Sequence, residues 1–172
     1  MSTAKRRTSD VTSSGFDAYL AQLEQATRGL FALNVSVLEQ MEKKIGLAPL
    51  RALQSLERLG PSMVTELGED LDLLPSTASR LSDRLSDAGL ITRRVSPTNR
   101  RATLLELTDA GRAVLDELVA LRVQALGAVA TEMTDRDRAA LVKGAHAFTT
   151  AHQQLSQQSR QQSVPVTARS VE

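Results

Sequence analysis

Between Val64 and Leu107 the spacing of apolar residues switches from helical to alternating, and that switch limits the folds open to this chain more than any other feature. Val64, Leu67 and Leu71 fall at helical spacing, Asp72-Leu73-Leu74 interrupts it, and Pro75 opens a second helix carrying Leu81 and Leu85. Proline suits a first helical position, because the N–H it lacks would have no partner there. Leu74 is a poor N-cap, and the sequence offers no account of how that helix end is satisfied. Ala88-Gly89 stops the helix. Leu90 to Val95 then reads as a strand rich in β-branched residues, Ser96-Pro97-Thr98-Asn99 has turn chemistry, and Thr103 to Leu107 is the return strand. Gly68 lets the two short helices approach closely.

Long amphipathic stretches flank this block. Phe16, Leu20, Leu23, Leu30, Val37 and Met41, widened by Phe31, Leu38 and Ile45, mark one long helix that Gly46 ends. Pro49 with Leu50, Leu53, Leu56 and Leu59 marks another, halted at Gly60-Pro61. Beyond the hairpin, Thr108 caps a helix whose apolar positions Val114, Leu118, Leu121, Ala125 and Ala128 step by four and three. Thr134 with Asp137 resembles a capping box and starts a last helix bearing Leu141, Ala145, Phe148, His152 and Leu155. With three Phe, one Tyr and no Trp, the core must be aliphatic, which suits packed helices. The expectation is a mainly α fold with a small β-hairpin wing: a winged helix-turn-helix at 48–107, dimerisation helices at 15–47 and 108–155, and disordered polar tails at 1–14 and 156–172. At 1.5 Å per residue the first helix would span about 45 Å, more than a small domain needs, so a two-fold partner is the simplest cover for its stripe.

Several classes are excluded or disfavoured. The absence of cysteine rules out disulfides, thiolate zinc sites and thiol redox sensing. No apolar run nears the ~20 residues that span a bilayer, and Lys5-Arg6-Arg7 precedes no signal-peptide core, so a cytoplasmic protein without a membrane partner is expected. His146 and His152 are six apart, which does not align two metal ligands on one helical face. No nucleophile triad, phosphate loop or carboxylate pair stands out, so neither an enzyme nor a cofactor is expected. Charge is the informative quantity. The chain carries a net charge of only +1, yet Pro75 to Arg101 holds six arginines against two aspartates. A basic segment on a mildly acidic body is the footprint of a surface presented to phosphates.

The Pro75 to Ala88 helix is the natural reader of a DNA major groove, since the first turns of an inserted helix meet base edges. Ser76, Thr77, Ser79 and Arg80 occupy those turns. Short hydroxyls bond phosphate or base, while an Arg can take guanine O6 and N7 together, so Arg80 is the residue for base readout. Arg84 one turn on meets a phosphate or Asp87, or serves only as surface charge. Thr27 and Asn34 on the first helix are polar positions that could face a ligand cleft, and Met41, Met63 and Met133 are core or pocket lining.

The run Leu81-Ser-Asp-Arg-Leu-Ser-Asp-Ala-Gly-Leu-Ile-Thr-Arg-Arg94, then Asn99-Arg-Arg101, then Leu107-Thr-Asp-Ala-Gly-Arg112, resembles the signature of the MarR family of multiple-antibiotic-resistance-type regulators. The likeness spans roughly Phe16 to Leu155 and is specific from Leu67 to Gly111. It implies a homodimer on double-stranded DNA, a pseudo-palindromic operator, and release by a small-molecule effector. It also implies that Asp83 orients a wing arginine, and that a wing triplet Asp-x-Arg sends its Arg into the minor groove. Here the triplet is Asn99-Arg100-Arg101, which makes Arg101 the minor-groove residue and Arg100 a backbone contact, but replaces the orienting charge with an amide. That departure keeps a second reading open, a winged-helix module that docks a protein instead of DNA. The six arginines argue for DNA.

Overall fold

In the computed structural model the backbone is described for residues 4–95 and 103–162, and side chains for 15–95 and 103–158. The elements in chain order are α1 (Ala4–Ile45), α2 (Leu47–Leu59), β1 (Ser62–Met63), α3 (Val64–Asp70), α4 (Pro75–Asp87), β2 (Ile91–Val95), β3 (Thr103–Leu107), α5 (Asp109–Ala130) and α6 (Asp135–Gln162). They form two compact units that meet within α5, between Leu126 and Gly127. α1 starts at Ala4, ahead of the boundary expected at residue 15, and 4–14 contain neither proline nor glycine to break the helix. α6 likewise runs on to Gln162, past the last apolar seam position at Leu155.

The core of the first unit is almost wholly aliphatic. Leu50, Leu53 and Leu56 of α2 lie at its centre, with Leu67, Leu81, Leu85, Ile91, Leu105, Leu107, Leu115 and Leu118 around them. Of the described side chains of α1 only Val37 and Met41 are buried. Met63 and Met133 are half-buried.

The expected hairpin forms, and its register sets Ile91 opposite Leu107 and Val95 opposite Thr103. The sequence pattern omitted a third strand. Ser62 and Met63 pair antiparallel with Leu105 and Leu104, so β3 is central in the order β1-β3-β2. Two residues are too few to show an alternation, which is why periodicity missed β1.

Helix ends are closed by specific devices. α3 stops where Leu73 N–H reaches Gly68 O at 2.8 Å and Asp72 N–H reaches Glu69 O at 3.2 Å. Asp72 takes the left-handed conformation this needs (φ 54°), one that Asp tolerates better than most side chains. α4 ends in the same way: Gly89 (φ 70°) donates to Ser86 O at 2.9 Å and Leu90 N–H to Leu85 O at 2.9 Å. At the start of α4 the Leu74 side chain caps nothing. Its carbonyl accepts Thr77 and Ala78 N–H at 2.9 and 3.0 Å, and Pro75 removes one of the donors needing a partner.

In the second unit the box at Thr134 and Asp137 is present, with Asp137 N–H donating to Thr134 Oγ1 at 3.2 Å and the Thr134 hydroxyl donating to Asp137 Oδ2 at 2.7 Å. None of α6's described side chains is buried. Among the described residues no helix is long and apolar enough to cross a membrane.

Candidate nucleic-acid interface

The amphipathicity of α4 divides its residues cleanly. Ala78, Leu81, Ser82 and Leu85 are buried, and Ser82 satisfies its hydroxyl on Ala78 O at 2.8 Å. The opposite face presents Ser76, Thr77, Arg80, Asp83, Arg84 and Asp87 to solvent, with Ser79 half-buried at its margin. The packing behind that face is tight. A Cβ on Gly68 would lie 3.2 Å from Ala78 Cβ, so the small pair Gly68 and Ala78 sets how closely α3 and α4 approach.

Two of the block's arginines are held by acids. Arg93 of β2 pairs with Asp83 of α4, and Arg94 pairs with Glu106 across the hairpin. Asp83, assigned by resemblance to orient a wing arginine, thus meets Arg93, which is 29% exposed. Among the described residues neither the Arg80 nor the Arg84 side chain enters an ion pair or hydrogen bond, and Arg84 does not reach Asp87. Two guanidiniums therefore stand on the exposed face of α4 without a partner among the described residues. Asn99, Arg100 and Arg101 lie outside the described residues.

Three features of the reader's support escaped the sequence reading. Asp70 at the end of α3 accepts Ser55 Oγ at 2.6 Å and the forked guanidinium of Arg58 at 2.9 and 2.5 Å, tying α3 to α2. This hydrogen bonding to Asp70 raises the Arg58 pKa above its ordinary value. A serine inside the Leu50/Leu53/Leu56 stripe was the signal available, because a buried hydroxyl needs a partner. Thr108 does more than cap α5: its hydroxyl donates to Gly89 O at 2.7 Å and accepts Gly111 N–H at 3.1 Å, while its N–H donates to Leu90 O at 3.1 Å. The end of α4, the start of β2 and the start of α5 are thereby joined at one residue. Third, α1 and α5 are cross-linked by Lys44 with Glu117 and by Arg122 Nε donating to Asn34 Oδ1 at 3.1 Å. Asn34 is therefore engaged, and the Thr27 hydroxyl donates within its own helix, to Leu23 O at 2.9 Å.

A helix with an exposed polar face, seated on two others and followed directly by an antiparallel hairpin, defines a winged helix-turn-helix protein. Residues 47–103 match the profile of the MarR family. The chain is 29% identical over 133 residues to the HTH-type transcriptional repressor MdtR of Bacillus subtilis (strain 168), covering 76% of this chain and 83% of the relative. Among solved structures it is similar to RV1404 from Mycobacterium tuberculosis, with 32% identity, a TM-score of 0.65, and coverage of 80% of this chain and 93% of that one. It is also similar to the YusO protein from Bacillus subtilis, with 28% identity, a TM-score of 0.62, and coverage of 80% and 96%. This chain belongs to the MarR family.

Proposed function

We propose that this chain is a sequence-specific regulator of transcription that binds double-stranded DNA as a homodimer and acts as a repressor on a pseudo-palindromic operator in the cytoplasm. The observation that carries the reading is the free face of α4, where Ser76, Thr77, Arg80 and Arg84 stand exposed on a helix anchored by four buried residues. In this arrangement Arg80 reads a guanine, Arg84 neutralises a phosphate, and the hydroxyls and half-buried Ser79 serve backbone or base. Asp83 holds Arg93 and so keeps the wing close to the reader. Residues 99–101 enter or flank the minor groove, with Arg101 the inserted side chain.

The proposed division of labour assigns 48–107 to DNA and 15–47 with 108–155 to dimerisation. A small-molecule effector that alters the spacing of the two readers would release the operator. The repressor role follows that of the Bacillus subtilis relative.

The test is selection of random duplexes by the purified protein at about 150 mM salt, where weak phosphate-only binding is suppressed. An inverted repeat with half-sites about 10 base pairs apart is the expected product. Arg80→Ala should then flatten preference at one base of each half-site, costing about 1–3 kcal/mol. Absence of any enriched sequence would transfer the fold to the protein-docking reading, and an Arg80→Ala variant with wild-type discrimination would remove Arg80 from base readout.

A further inference from the structure

Leu74 is 73% exposed, more than any other large apolar side chain among the described residues. It occupies the N-cap of α4, immediately before Pro75, Ser76 and Thr77, all three exposed. Local structure supplies no reason for a leucine there. It donates no cap, since the Leu74 contribution to the helix end is its carbonyl alone. It is not part of the core, and most of the other exposed large apolar residues belong to α1, α5 and α6. Serine, threonine, asparagine or aspartate would cap this helix better.

Resting on the DNA-binding reading above, we infer that Leu74 is a specificity-determining residue whose branched methyl groups pack on the C5-methyl of a thymine in the major groove. The chemistry is specific to that base. Of the four bases only thymine places an apolar group on the major-groove edge, and small apolar contacts to it are a recurrent element of readout. A residue at the N-cap of an inserted helix enters the groove with the first turn. Thr77 and Arg80, one and two turns along the same exposed face, supply the polar contacts around it. The apolar surface of Leu74, costly in water, is then covered only in the complex.

The measurement uses the operator recovered by selection, with each thymine replaced singly by uracil, which removes one methyl and nothing else. Wild-type protein should lose about fourfold in affinity at one symmetry-related position in each half-site, the worth of about one buried methyl. Leu74→Ala and Leu74→Ser should bind the parent operator more weakly by a similar factor, and should no longer distinguish thymine from uracil at that position. Leu74→Ser also improves the cap, so its weaker binding would accompany equal or greater thermal stability. Variants that keep the wild-type uracil profile would overturn the assignment and point to another methyl, such as that of Thr77. A wild-type protein indifferent to every uracil would overturn it equally, with the regulator reading intact. Failure to bind any sequence selectively would instead remove the regulator reading itself, and this inference with it.

Discussion

A single added methyl group distinguishes the glycines that shape the reader from those that merely interrupt helices. A Cβ on Gly111 would stand 2.2 Å from the Leu90 carbonyl oxygen and 3.3 Å from Leu107 Cδ2. That oxygen already accepts the Thr108 N–H, so it cannot retreat without undoing the join between α4, β2 and α5. Gly111→Ala should therefore destabilise by about 2–3 kcal/mol, lowering the thermal midpoint by roughly 5–10 °C in a chain of this size. A Cβ on Gly127, within α5, would meet nothing within 4 Å, so Gly127→Ala should stabilise by about 0.5–1 kcal/mol through reduced freedom of the unfolded chain. Calorimetry of the two variants checks both signs, and equal effects would mean that the close approach at Gly111 does not constrain the fold.

At the scale of elements, the working unit is α4 with β2, because Asp83 and Arg93 connect the reader to the base of the wing. Asp83 is half-exposed, so the pair adds little to stability, on the order of 0–1 kcal/mol. If the exposed face of α4 meets phosphates as proposed, deleting an acid from it should by itself strengthen binding to any DNA. If Asp83 serves to place the wing, Asp83→Ala should raise affinity for scrambled duplex while lowering affinity for the operator, each by several-fold. Titrations of both duplexes at one salt concentration separate the effects, and a parallel rise on both would leave Asp83 as a mere surface charge.

For the whole molecule, the unburied apolar surface is the dominant fact. Phe16, Tyr19, Leu20, Phe31 and Val35 of α1 are exposed, as are Val119, Val123, Leu126 and Val129 of α5. On α6 Leu141, Val142, Phe148 and Leu155 are exposed as well. Apolar faces of this extent mark interaction surfaces, and a second copy is the occupant the regulator reading requires. Sedimentation should give twice the 18.6 kDa chain mass. Phe148→Asp, which would bury a charge at each of two symmetry-related positions, should weaken self-association by more than about tenfold. A monomer at micromolar concentration, or a dimer indifferent to that change, would place the interface elsewhere.

Local chemistry made much of this protein legible from sequence. The helix-turn-helix, the two hairpin strands, the stops at Gly46, Gly60 and Gly89 and the box at Thr134 each follow from side chains acting on neighbours a few residues away. The exposed face of α4, with Ser76, Thr77, Arg80 and Arg84, was likewise readable, because helical periodicity alone assigns faces. What only the tertiary structure decided are partnerships between distant residues: Asp70 with Ser55 and Arg58, Asp83 with Arg93, Thr108 with Gly89, and β1 with β3. It also decided that Leu74 is left in solvent while the leucines around it are buried or half-buried. Such outcomes depend on how elements pack in space, and packing brings together residues whose separation along the chain carries no periodic signal.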